Sequence, residues 1–288
     1  MLRRFLILAG LAMTAACDDG RAACFAPNTE LPTPETVARD QRLGGTARDL
    51  ASALFDGDLP RARGLLDRDP AVASTRIGSD ADMLVVALAT CSREAVELLI
   101  AKGAPVDGAR PGAPLIFALR ANDPWFAERL LAAGAKPNPA GDPLGPMRTA
   151  IGLNSLGGVR LLLDNRADPN AYERTGNRAL HTAMNMETFR VAELLLERGA
   201  DPWAIDSNGA NFASALAQPM MTEDADEAAA RRRLGERLAR LGWPQPAPTP
   251  QAVRAMALAG EWPPANARGA RPVPPEVVAI IRANTTKH

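Results

Sequence analysis

The chain has 288 residues and balances 33 basic against 33 acidic side chains, so nothing in its charge asks for a polyanionic partner such as nucleic acid. Apolar residues make up 47% of it but aromatic residues only 4%. A core of Ala and Leu with few rings between elements suits closely packed helices, in one or two domains.

Reading from the start, Arg3 and Arg4 precede an apolar stretch from Phe5 to Met13, and small residues follow up to Cys17. A stretch this short is an export signal rather than a membrane span. The run Thr14-Ala15-Ala16-Cys17 resembles a bacterial lipoprotein box, although that box usually has Leu where Thr14 stands. The resemblance implies cleavage after residue 16 and acylation of Cys17, placing the mature protein in the cell envelope facing the periplasm, or soluble there if Cys17 carries no lipid. Residues 17–45 are polar, with Pro32 and Pro34, and are expected to form a tether. Cys24 and Cys91 either form a disulfide, which an oxidising compartment permits, or remain two thiols.

From Thr46 onward a period emerges. Ala87, Ala118, Ala150 and Ala183 are each followed 17 positions later by another alanine, at 104, 135, 167 and 200. Leu98-Leu99-Ile100, Leu130-Leu131, Leu161-Leu162-Leu163 and Leu194-Leu195-Leu196 fall between them in register, and the units start 31, 32 and 33 residues apart. Gly103, Gly134 and Gly199 close three of those runs, where a helix end favours a left-handed residue. The run Gly176 to Ala183, with Arg178-Ala179-Leu180-His181-Thr182-Ala183, and the copies Gly134-Ala135-Lys136-Pro137-Asn138, Arg166-Ala167-Asp168-Pro169-Asn170 and Gly199-Ala200-Asp201-Pro202 resemble the ankyrin repeat. That resemblance implies an all-α solenoid of five to six helix-pair repeats joined by short β-turn fingers, over residues 46–243. An N-terminal unit with Ala53, Gly57 and Leu65-Leu66 and a C-terminal one from Phe212 to Trp243 are its expected atypical ends.

His181 is one of two histidines. A catalytic histidine needs a nucleophile to activate or fellow metal ligands. Its sister units carry Val85, Ile116 and Arg148 at the equivalent position, so it is expected to brace its turn by hydrogen bonds. No phosphate-binding loop, nucleophile elbow, His-Glu-x-x-His or Cys-x-x-Cys occurs in the sequence. The reading is therefore no enzyme, no cofactor and no small-molecule substrate. Glu223 to Arg233, acidic then basic, is expected to be one helix with a solvated charged face and Ala230, Leu234, Leu238 and Leu241 on its buried face.

The family resemblance implies protein recognition on a concave face made of fingers and first helices. Register places Tyr172, Glu173 and Arg174 on one finger tip, with Trp203 at the base of the next. Val86, Phe117, Arg120, Thr149, Leu153, Asn185 and Met186 form a band on the first helices. Partner contacts are expected from Tyr172, Glu173, Arg174, Phe117, Arg120, Asn185, Met186 and Trp203, aromatic and Arg residues being frequent anchors. The alternative is that Phe117 and Met186 pack between helices and Trp203 seals the last interface. From Pro244 to Pro275 stand nine prolines in 32 residues. The tail 244–288 is accordingly read as two short helices, around 251–260 and 276–282, either folded back over the last repeat or extended for docking. Two binding modes follow, a scaffold for an envelope protein or an immunity-type inhibitor of a toxic secreted enzyme such as a lipase.

Overall fold

A pair of short antiparallel helices cannot hide its Leu-rich faces alone. Burying one Leu side chain contributes about 1.5–3 kcal/mol, and only stacked neighbours supply the partner surface. The protein, here as a computed structural model describing residues 24–218, 220–221 and 223–285, solves this with six helix pairs in chain order. They are α2 (Gly45–Phe55) with α3 (Leu59–Arg68), α4 (Met83–Ala89) with α5 (Arg93–Ala101), and α6 (Ala113–Ala118) with α7 (Trp125–Ala132). Then follow α8 (Gly145–Gly152) with α9 (Leu156–Asp164), α10 (Ala179–Asn185) with α11 (Phe189–Glu197), and α12 (Phe212–Leu216) with α13 (Ala225–Arg240). A preceding helix α1 (Pro34–Arg39) and two tail helices, α14 (Pro250–Ala259) and α15 (Pro275–Thr285), complete the α-helices among the described residues.

Local chemistry sets the boundaries. Side-chain caps on Asp58, Ser92 and Ser155 each accept a backbone N–H three residues on, starting α3, α5 and α9. The Leu-rich second helices end at Gly103, Gly134 and Gly199, all with positive φ, and Arg166 takes the same left-handed conformation where a glycine is missing. The decayed signature at Pro70 becomes a 3₁₀ turn, Pro70–Ser74. Between the first two pairs the finger is a true hairpin, β1 (Arg76–Ile77) against β2 (Ala81–Asp82), with Arg76 opposite Asp82.

Units are tied together through one recurrent bond. The carboxylate or amide oxygen of Asp107, Asn138 and Asn170 accepts the backbone N–H of Lys136, Asp168 and Asp201, each at 2.7 Å, one unit further on. The last residue of the signature is thus the link between repeats. Across the outer helices Arg129 pairs with Glu97 at 2.6 Å, Arg198 with Asp164 at 2.6 Å and Arg233 with Glu193 at 2.7 Å. Exposed pairs of this kind contribute little each.

The N-terminal end departs from the expectations, and the tail follows one of its two. The segment read as a tether is folded from Cys24 onward, with Phe25, Val37 and Leu43 buried in the core and Cys24 bonded to Cys91. Its apolar residues find partners far away in sequence. The tail folds back, with Val253, Trp262, Val277 and Ile281 buried, rather than extending. Glu227, assigned to a solvated face, is buried instead, accepting from the Arg190 N–H at 2.9 Å and the Asn154 amide at 3.3 Å. Arg231 turns to the Leu216 carbonyl at 2.6 Å.

Candidate functional site

Fingers and first helices line one concave face, and three separate sets of residues compete for it. The N-terminal segment takes one end. An open cleft of about 650 Å³ is lined there by residues of the 30–42 stretch, the first finger and Phe117. Phe117 is half-buried against the core, and Arg120 is engaged within the molecule. Its Nε donates to the Thr29 hydroxyl at 3.0 Å and its carbonyl accepts the Ala26 N–H at 2.7 Å. Val86, placed by register on the groove, is wholly buried.

The tail takes the finger tips at the other end. Tyr172 donates its hydroxyl to Glu276 of α15, which raises the tyrosine above its usual range and lowers the carboxyl. The Arg178 guanidinium sits 5.1 Å from the Tyr172 ring centre. Glu173 receives Arg148, which also reaches Asp142 at 2.8 Å and so ties two fingers to one helix. Arg174 is exposed at the tip.

Trp203 takes the second of its two expected roles and is not a partner contact. It is 1% exposed, its ring stacked on Trp243 at 4.6 Å and edge-on to Trp262 at 5.9 Å. Its Nε1–H donates to the Arg268 carbonyl at 3.1 Å, and that of Trp262 donates back to the Trp203 carbonyl at 3.0 Å. It seals the last unit under the tail and offers no surface to a partner.

His181 accepts the Arg178 N–H on Nδ1 at 3.1 Å, so Nε2 carries the proton and donates it to the Ala204 carbonyl at 3.2 Å. The ring bridges its own turn to the next finger. Burial pushes its pKa below the ordinary histidine value, with the Arg178 charge adding to that and Asp206 opposing it. Among the described residues no cluster of three or more His, Cys, Asp or Glu side chains could hold a metal, and no helix is long and apolar enough to cross a membrane.

What stays open is the middle of the groove. Thr149 of α8 and Leu153 just past it are half-buried, and Asn185 and Met186 at the end of α10 are exposed. Met186 is 50% exposed, with its methyl over Gly152 of the neighbouring helix. Met221 is 90% exposed and held by its N–H to the Glu187 side chain at 2.7 Å. A hollow of about 350 Å³ lies beside them, lined in part by Met184, Asn185, Phe189 and Met221. Met221 lies in the insertion between α12 and α13, which offered no periodic signal. Of the eight expected contacts, the open stretch thus gathers Asn185 and Met186, with Arg174 exposed on its finger. Phe117 packs half-buried against the core, Arg120 and Tyr172 are held by the chain's own ends, Glu173 by Arg148, and Trp203 is core.

Residues 115–206, about a third of the chain, match the family model for ankyrin repeats in three copies. Human cyclin-dependent kinase 4 inhibitor B is 52% identical over 48 residues, which are 17% of this chain and 34% of that protein. An ankyrin repeat and KH domain-containing protein of Caenorhabditis briggsae is 30% identical over 118 residues, 37% of this chain and 4% of that one. The chain therefore spans about a third or less of the length of these relatives. The crystal structure of the ankyrin repeat domain of Bcl-3, titled a unique member of the IkappaB protein family, superposes with a TM-score of 0.53 at 20% identity, covering 81% of this chain and 97% of that one. The fold is an ankyrin-repeat solenoid.

Proposed function

We propose that this ankyrin array is an exported, lipid-anchored and non-enzymatic binding module of the cell envelope, holding a partner protein on the middle of its concave face. One observation carries the assignment of the surface. Met186 and Met221 are the large apolar side chains left exposed among the described residues, and the Met221 N–H bonds the side chain of Glu187, the residue after Met186. Flexible thioether side chains adapt to apolar anchors of a partner, and the exposed Asn185 supplies a polar contact beside Met186. Export rests on the basic and apolar start of the chain and on Cys17, which lie outside the described residues. The Cys24–Cys91 disulfide favours it as well, since such bonds persist in oxidising compartments. An inhibitor reading has one specific support: the relative matched at 52% identity is named for inhibiting a kinase, so an array of this kind can block an enzyme.

Capture from native envelopes with tagged, crosslinked protein tests both points. Met186→Glu should lose most of the captured partner while the helical circular dichroism stays unchanged, and Cys17→Ser should move the protein from the membrane to the soluble fraction. Undiminished capture by Met186→Glu would place the contact surface elsewhere. A single stoichiometric secreted hydrolase would make the protein an inhibitor, and several resident envelope proteins at lower yield would make it a scaffold.

A further inference from the structure

The first helix of the second unit is unlike its counterparts. Every residue of α4, Met83-Leu84-Val85-Val86-Ala87-Leu88-Ala89, is at most 1% exposed, whereas α6, α8 and α10 all turn partly open side chains outward. A first helix that is apolar all round needs a cover on its groove side, and Phe25, Val37 and Leu43 of the N-terminal segment join the same buried cluster as its residues.

The cover is bound as a peptide ligand would be. Phe25 pairs antiparallel with Ala121, its ring 4% exposed. The Asn122 N–H donates to the Cys24 carbonyl at 2.8 Å and the Ala26 N–H to the Arg120 carbonyl at 2.7 Å. The Arg120 side chain reads the Thr29 hydroxyl. At the far rim Asp40 accepts the Gly78 N–H of the first finger at 2.9 Å. Backbone pairing, one aromatic anchor and a side-chain hydroxyl read by arginine make a complete recognition set. Covalent closure is added to it. Cys91 stands just past α4 with φ 58°, at the left-handed position where the later units have Asn154 and Glu187, and there it joins Cys24.

We propose that residues 24–43 fill in cis a peptide-binding site running from the turn after α6 to the first finger, and that the Cys24–Cys91 disulfide holds this site shut until a dithiol reductant opens it. Both cysteines are partly exposed and open to attack. One thiolate of the dithiol attacks a sulfur of the bond, and its second thiol resolves the mixed disulfide. Two electrons and two protons thus pass to Cys24 and Cys91, and the dithiol becomes a disulfide. The opened site fits an extended segment with an aromatic side chain followed, a few residues on, by a hydroxyl. The strap stays attached through residue 44 and competes at high local concentration, so the ligand must displace it. This deepens the binding-module reading by assigning the covered section of the same groove.

The test uses the full chain and a fluorescent synthetic peptide copying residues 24–43 with serine at the Cys24 position. Oxidised protein should leave the peptide free. Protein reduced with dithiothreitol, and more strongly the Cys24→Ser, Phe25→Ala double variant whose own strap lacks its anchor, should bind it saturably. A peptide with Phe25→Ala should bind roughly tenfold more weakly. Two results would overturn the proposal: no peptide binding by reduced protein and double variant that keep their helical circular dichroism, or loss of that signal on reduction, which would make the disulfide a staple of the fold. Neither result bears on capture through Met186, so the two readings fail separately.

Discussion

At the scale of single residues, His181 shows how burial turns a titratable group into a fixed joint. The folded protein keeps its ring neutral because the site gives it one N–H to accept and one carbonyl to donate to, with no room for a second proton. Its pKa is lowered on folding, chiefly by burial, so the unfolded chain binds the proton more readily. The ring's contribution is therefore complete above the ordinary histidine value near 6.5 and declines as pH falls below it toward the folded value. His181→Ala should cost about 1–2 kcal/mol at neutral pH through the two lost hydrogen bonds. In urea melts across a pH series, the gap between wild type and variant should narrow on acidification below pH of about 6.5. A gap independent of pH would mean that the ring titrates as it does in water. The role of this residue was legible from its unpartnered place in the sequence and its replacement in sister repeats. That of Trp203 was legible only as one of two alternatives, because the ring of Trp262 that completes its cluster lies in the tail, outside the repeat period.

At the scale of elements, the helix pairs followed from a period of small residues and Leu runs, since each unit repeats one packing problem. The two ends posed different problems with single solutions. Proline-rich polar stretches read as tether and tail, yet each holds a few apolar residues that bury against fingers or first helices far off in sequence. Nothing local distinguishes a docked Phe25 or Val277 from a solvated one. The fingers do record the docking. Gly209 has φ +79°, and a Cβ there would stand 2.1 Å from the Pro250 carbonyl oxygen at the start of α14. Gly176, with φ +83°, faces Val277 of α15 in the same way. Gly209→Ala should therefore combine a left-handed backbone penalty with a backbone clash that no side-chain rotation relieves. We expect a loss of about 2–4 kcal/mol, with tryptophan fluorescence shifted to the red as α14 lifts from the Trp cluster. Gly242→Ala has open space around its Cβ and should carry the backbone penalty alone, about 1 kcal/mol, without the fluorescence change. Equal effects at both sites would show that the tail does not press on the finger.

At the scale of the whole molecule, stability in a stacked array is a sum of units and nearest-neighbour interfaces, so free ends normally fray first. Here neither end is free. The disulfide spans 67 residues of sequence and ties the N-terminal strap across the second unit, worth about 4 kcal/mol by the entropy of the closed loop. The tail closes the other end through Trp262, Val277 and Ile281. Native-state hydrogen exchange should consequently show α2 to α5 and α10 to α13 protected nearly as well as the central α6 to α9, in contrast to an unclamped array. Each clamp should also act locally. Reduction should raise exchange in α2, α4 and α5 while α10 to α13 keep their protection, and Trp262→Ala should do the reverse. That separation follows because a lost clamp weakens the interface next to it, and its influence passes onward only through contacts that remain intact. If either change raised exchange evenly from α2 to α13, the array would open as a single cooperative body, and its two ends would be coupled through the groove between them.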